Sequence, residues 1–327
     1  MKFGPIPTVQ AEGAVLAHSV ATEAGRLRKG RVLSVEDLQQ LAGAGLSEVI
    51  VARLEPGDVD ENTAALRLAE AVAGPGLRLS TPFTGRVNLI ADGPGVAVLD
   101  VAALEAVNAI DPMITIATVP PFQQMRDGGM VATIKIISYA VPGAGVDEAC
   151  AAAGQAAISL AAPQLERATL LVTDIPKGPG DKGRAAIAAR LEALNAILTE
   201  TRIVPHEAAP LTAALKEADS DLILILTGSA TSDVEDVAPS AVRAAGGEVF
   251  RFGMPVDPGN LLFLAELGGT PVIGLPGCAR APALNGADWV LSRILCGVPV
   301  TSCDIAMMGV GGLLKEIPTR PQPRRPR

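Results

Sequence analysis

The chain has 327 residues, 49% of them apolar and 19% charged. It is long enough for two domains, because single cores stop growing near about 250–300 residues, and too apolar for a disordered polymer. A net charge of −8 with one Trp and one Tyr excludes a general nucleic-acid binder, which needs basic surface and stacking aromatics, but leaves room for a small anion held on backbone amides.

In the N-terminal half, Ser34 is placed to cap a helix over Val35–Ala44, with Asp37 three residues on and Gly43 and Gly45 closing it. Val49 and Val51 alternate within Glu48–Arg53, which predicts a strand. Asp60 or Asn62 starts a second helix through Ala71, stopped by Gly74-Pro75-Gly76. Short β-like runs follow at Arg86–Ile90, Val96–Asp100, Ile114–Val119 and Met130–Tyr139, with a helix interposed over Val101–Ile110. Gly128-Gly129 has the composition of a hairpin turn. Residues 1–165 therefore read as a mixed α+β domain with an antiparallel part.

From about Glu166 the rhythm becomes regular. Thr169–Thr173 is a buried-strand run. A helix after Asp181 is expected to present Ile187, Leu191, Leu194, Ile197 and Leu198 on one face. Leu211–Ala218 reads as a helix, Leu222–Leu226 as a fully apolar strand, and Asp236–Ala245 as a helix with Pro239 in its first turn. Glu248–Phe252 is a strand, Asn260–Leu267 a helix, Pro271–Leu275 a strand, and Ala281–Cys296 a long helix. Strands alternating with helices predict an α/β domain over 166–317, a mainly parallel sheet covered on both faces. Its ligands belong at the carboxyl ends of the strands. The last stretch, 318–327, has four prolines and four arginines and reads as a disordered tail.

No apolar run approaches the roughly 20 residues that span a bilayer, and the first residues show no signal-peptide pattern. Cys150, Cys278, Cys296 and Cys303 form no CxxC pair, which suits reduced thiols in the cytoplasm. Two histidines, His18 and His206, exclude a His-rich metal site.

Three loops carry the candidate chemistry. Leu226 leads into Thr227-Gly228-Ser229-Ala230-Thr231-Ser232-Asp233, and a helix begins near Asp236. Small residues let amides approach an anion, hydroxyls add donors, and the helix start favours negative charge. The loop lacks the GxxxxGK[ST] pattern and its lysine. Asp233, Glu235 and Asp236 suit Mg²⁺ or a guanidine-like heterocycle edge, and equally suit simple capping. The second loop, Pro276-Gly277-Cys278-Ala279-Arg280, offers a glycine for close approach, an arginine for a phosphate and a thiol near a helix start. The third runs from Thr173-Asp174 to Asp181-Lys182-Gly183. His206 follows a short strand, as a satisfied or exposed histidine or as a ligand contact.

Taken in order, Thr173-Asp174, Asp181-Lys182-Gly183, Thr227-Gly228, Asp236-Val237-Ala238-Pro239 and Gly274-Leu275-Pro276-Gly277 resemble the molybdopterin-binding domain shared by the molybdopterin adenylyltransferase and the molybdenum insertase. The resemblance covers residues 167–297. Arg28-Lys29-Gly30-Arg31-Val32-Leu33 and Gly45-Leu46-Ser47-Glu48-Val49 are also similar to insertase-like segments. The whole length looks like an insertase-like subgroup that often precedes a nucleotidyltransferase domain, and no such domain is expected here.

The resemblance implies a three-layer α/β fold and binding of molybdopterin or the molybdenum cofactor, in cofactor biosynthesis or maturation. The family's phosphate loop falls on Thr227-Gly228-Ser229 and its carboxylate on Asp236, the residue a catalytic role would use. If the chain is an enzyme, Mg-dependent adenylyl transfer with ATP or molybdenum insertion is implied. A homo-oligomer and a separate nucleotidyltransferase or molybdoenzyme partner are compatible with it, whereas nucleic acid and membrane are not expected. Three positions depart from the pattern. Ser229 stands at the second loop glycine, Asp233 at another glycine of the adenylyltransferases, and His206 at an expected acidic residue. They add bulk and alter charge where a nucleotide would lie, which favours pterin binding, or a non-catalytic carrier, over adenylyl transfer. An unrelated phosphorylated metabolite remains the alternative ligand.

Overall fold

Ser34 accepts the amide of Asp37 while the Asp37 carboxylate accepts the amide of Ser34, a reciprocal cap on the helix Val35–Gly43. Asp60 and Asp100 cap Glu61–Val72 and Val101–Ile110 one way only, Asp60 accepting the amides of Asn62 and Thr63 and Asp100 that of Ala103. The computed structural model describes residues 1–314, so the Pro/Arg tail expected at 318–327 lies outside the described residues. The described chain divides into two units. One comprises residues 1–92, 97–121 and 127–160, and the other 93–96, 122–126 and the chain from 161 onward.

The first unit is mixed α+β and its named strand pairs are antiparallel. Lys2–Pro7 and Val15–Leu16 flank Glu48–Arg53. A four-stranded sheet orders Ile114–Thr118, Met130–Ile136, Arg86–Ala91 and Leu77–Leu79. The expected hairpin at Gly128-Gly129 does not form. The preceding strand Gln124–Met125 pairs with Gly95 and Val96, and the Gly128 amide instead donates to Ala91.

The second unit holds a six-stranded sheet. Its strands are β1 (Arg167–Asp174), β2 (Ile197–Pro205), β3 (Leu222–Leu226), β4 (Glu248–Phe252), β5 (Phe263–Leu267) and β6 (Thr270–Leu275), in the spatial order β2-β1-β3-β6-β5-β4. Its helices are α1 (Arg184–Glu192), α2 (Ala208–Glu217), α3 (Val237–Ala244), α4 (Gly286–Leu295) and α5 (Ser302–Met307). The first four strands in spatial order run parallel, and β5 is antiparallel to both neighbours.

Alternation along the strands builds two cores. Leu170, Val172, Leu222, Leu224, Leu226 and Ile273 meet α1 and α4 on one face. Leu171, Ile223, Ile225 and Val272 meet α2 and α3 on the other. Every residue of β3 is buried, which explains its unbroken apolar run, since a central parallel strand has no solvent face. The expected three-layer α/β domain with a mainly parallel sheet is what the chain forms.

Three element readings change. The expected helix Asn260–Leu267 is a turn followed by strand β5, because Phe263–Leu267 pairs residue for residue with β6. The Phe263 ring occupies the space that a Cβ on Gly274 would need. The helix after Asp181 ends at Glu192, and Ile197 and Leu198 belong to β2 rather than to its apolar face. Asn195, at a φ of 57°, makes the reversal between them. The expected long helix Ala281–Cys296 is shorter: a 3₁₀ turn at Gly277–Arg280 precedes it, residues 281–285 are not helical, and α4 begins only after the capping residue Asn285.

Candidate functional site

Parallel strands end on one edge. β1 stops at Asp174, β2 at Pro205, β3 at Leu226 and β6 at Leu275, with Thr173 beside Val204 and Leu226 beside Leu275 in register. The loops 175–183, 227–236 and 276–285 therefore leave the same edge of the sheet, the position where open α/β sheets take ligands.

The loops are tied to one another by main chain and by two arginines. The Gly228 amide donates to Thr173 Oγ1 at 3.0 Å. A Cβ on Gly228 would lie 2.8 Å from the Thr173 carbonyl oxygen and 3.2 Å from the Asp174 Cα, so only glycine lets these strand ends close. Arg280 donates to the carbonyls of Gly180 and Lys182 through Nη1 and of Thr227 through Nη2 at 2.9 Å. Burial lowers its affinity for the proton, and Asp174 acts in the opposite sense. Arg280, the expected phosphate contact, has its guanidinium on carbonyls of the other two loops. A Cβ on Gly183, which has a φ of 104°, would lie 2.8 Å from the Arg280 Cα.

Arg190, which the sequence did not single out, does similar work beneath them. It pairs with Asp288 and donates to the carbonyls of Ala279, Ala281 and Ala283. Its only sequence signal is an arginine on a helix otherwise rich in alanine.

Each remaining expected site residue has a definite place. Thr173 is fully buried, and its hydroxyl oxygen lies 2.7 Å from His206 Nδ1. The Asp174 carboxylate accepts the Gly180 amide at 3.2 Å, which shapes the third loop. Asp181 and Lys182 are exposed at the start of α1. The Thr227 hydroxyl donates to the Ser229 carbonyl at 2.6 Å and lies 3.2 Å from the Thr231 hydroxyl. Pro276 is buried, Gly277 is exposed, and Cys278 is partly exposed on the 3₁₀ turn.

The carboxylates do not converge. Asp236 caps α3, accepting Val237 N at 2.7 Å on one oxygen and Ser232 N at 3.0 Å on the other. Asp233 accepts Glu235 N, and Glu235 pairs with Arg243 at 2.9 Å. Among the described residues no group of three or more His, Cys, Asp or Glu side chains is arranged to hold a metal.

The 227–236 loop still carries donors. Among the described residues no acceptor meets the main-chain amides of Ser229, Ala230 or Thr231, three successive N–H groups at a strand end. Such a run, with hydroxyls beside it and a helix start beyond, is a group of donors suited to a phosphate.

The sheet order, the layered helices and this edge define a three-layer α/β domain with three loops on one sheet edge. Residues 170–295 match a family model described as "Probable molybdopterin binding domain". Residues 5–53 match a domain of unknown function. No curated protein matches the chain. Among solved structures, a molybdopterin biosynthesis moeA protein from Pyrococcus horikosii is 14% identical, with 93% of this chain and 75% of that chain covered and a TM-score of 0.31. A molybdenum cofactor biosynthesis protein from Pyrococcus furiosus is 12% identical at a TM-score of 0.25 over 94% of this chain and 65% of that one. Among the described residues no helix is long and apolar enough to cross a membrane.

Proposed function

We propose that the chain binds molybdopterin or the finished molybdenum cofactor and acts in molybdenum-cofactor biosynthesis in the cytoplasm. The family match at 170–295 supports this reading. The observation that carries it is the 227–236 loop, where the exposed Ser229 and Ala230 and the buried Thr231 have main-chain amides without a protein acceptor, at the same sheet edge as the Arg280-tied loops. The pterin phosphate would lie on those amides, with the Thr227 loop and α3 supplying the favourable field.

Binding and presentation fit this edge better than adenylyl transfer. A metal-assisted transfer needs carboxylates free to ligate Mg²⁺, and Asp233, Glu235 and Asp236 already serve amides or Arg243. A carrier needs only the anion cradle.

Titration of molybdopterin fluorescence with the purified protein tests the reading, and saturable binding is the expected result. Absence of saturation would overturn it. Adding Mg²⁺ and ATP and examining the products by mass spectrometry separates the two roles, because adenylylated product in stoichiometric yield removes the carrier assignment. Light scattering on the same samples reports whether the chain self-associates and whether it joins a separate nucleotidyltransferase or molybdoenzyme.

A further inference from the structure

The second unit handles its partly buried arginines in two ways. Arg190 and Arg280 have their donors on carbonyls and a carboxylate. Arg293, in the last turn of α4, has none of this. Its guanidinium carbon sits 3.8 Å above the centre of the Phe122 ring, and its Nε is buried with no hydrogen-bond partner. Among the described residues no carboxylate comes within ion-pair distance of it. Burial lowers its affinity for the proton and Asp304 acts in the opposite sense, yet one Asp304 oxygen already takes both the amide and the hydroxyl of Thr301, at 2.7 and 2.6 Å.

An unpaired cation taken out of water is unfavourable, and folded proteins pair such charges. The ring beneath it is held in an unusual state as well. Phe122 has a φ of 60°, a left-handed conformation that is an outlier for a bulky side chain and is tolerated where the surroundings impose it. Two independent departures therefore meet at one point, a strained aromatic residue and a guanidinium without an acceptor. Stacking covers one face of the guanidinium and Nε is buried, which leaves the terminal Nη pair, whose spacing matches the two oxygens of a carboxylate. Asp304 close by disfavours a group that gathers two negative charges at one centre, as phosphate does, relative to a single carboxylate.

We propose that Arg293, stacked on Phe122, forms a binding edge for a carboxylate group, presented by a small organic acid or by an acidic peptide. This site is independent of the pterin reading, since it uses neither the 227–236 loop nor the 276–280 turn.

Trp289, the only tryptophan of the chain, lies one helical turn before Arg293 on α4 and reports the site by its fluorescence. The full chain is titrated with succinate, with tetraglutamate and with inorganic phosphate at constant ionic strength. The expected result is a saturable change with succinate or with tetraglutamate, and the one that binds identifies the source. Arg293→Met should weaken that binding by at least about tenfold, as expected for loss of a charge-assisted bidentate contact. Without ligand, the same variant should melt at the wild-type temperature or above, because it removes an unpaired charge while keeping contact with Phe122. No saturation with either carboxylate overturns the proposal, as does binding of phosphate as tight as that of the carboxylates. Unchanged carboxylate binding by Arg293→Met overturns it too, and so does a lowered melting temperature of that variant without ligand, which would mark Arg293 as a structural residue.

Discussion

Thr173 Oγ1 lies 2.7 Å from His206 Nδ1 and at the same time accepts the Gly228 amide at 3.0 Å. The hydroxyl serves both at once, accepting the amide on one lone pair and sharing a second hydrogen bond with the imidazole, whose direction the histidine tautomer sets. This arrangement ties the end of β1 to the end of β2 and to the first turn of the 227–236 loop. Thr173→Val removes both bonds while keeping the shape, and it leaves the Gly228 N–H without a protein acceptor. The expected loss is about 1–2 kcal/mol in urea unfolding, with weaker molybdopterin binding in the fluorescence titration. Thr173→Ser should restore both. Equal behaviour of the Val and Ser variants would show that the hydroxyl is not what orders the loop.

Gly228 and Gly277 give a matched pair of substitutions. A Cβ on Gly228 would press on the Thr173 carbonyl and the Asp174 Cα, whereas one on Gly277 meets nothing within 4 Å. Backbone cannot yield as a flexible side chain does, so Gly228→Ala should destabilise by about 1–3 kcal/mol. Gly277→Ala should stay within about 0.5 kcal/mol of the parent. Thermal melts of the two variants decide this, and the reverse ranking would mean that the strand ends do not close as described.

Arg280 acts as a brace between loops. Its three carbonyl partners belong to residues 180, 182 and 227. Arg280→Met removes the charge and the three bonds, and stability should fall by about 1–3 kcal/mol, because relief of a desolvated cation offsets part of the loss. Arg280→Lys should recover little, since an ammonium cannot reach acceptors spread as a guanidinium fork reaches them. Amide hydrogen exchange is the direct measurement. Protection around Gly180–Arg184 should drop in both variants while β3 stays protected, and uniform loss across the sheet would contradict a local brace.

The layered fold was readable because burial writes itself into sequence. Leu222–Leu226 is apolar without a break because it is covered on both faces, and Ser34 with Asp37 or Asp236 before Val237 announces a helix start through local hydrogen bonds. What spans distance was not readable. Phe263–Leu267 carries apolar spacing that also suits a helix, and only its pairing with β6 and the Phe263 ring over Gly274 make it a strand. Leu194 and Ile197 continue the helical period by coincidence across the turn at Asn195. At the site, the three loops and their order were legible from small residues after strand runs. The partners of Arg280, the work of Arg190 and the Thr173–His206 contact join residues 33 to 100 positions apart, and no local pattern encodes them.

Acid should loosen the start of β1 through Asp221. Its carboxylate accepts the amides of Arg167 at 2.8 Å and Glu166 at 3.1 Å. These bonds, the Arg167 amide foremost, hold its pKa below the ordinary 3.8 against a smaller opposing effect of burial. Above 3.8 the group is ionised in both the folded and the unfolded chain, and the bonds contribute in full. As pH falls below that value the unfolded chain takes up the proton first, and the contribution is lost by the time the folded carboxyl is protonated. Asp221→Asn cannot ionise, so it should be less stable than the parent near neutrality and should lose less stability across this acid window. Urea unfolding followed at a series of pH values checks both parts, and parallel acid limbs for parent and variant would remove Asp221 from the account.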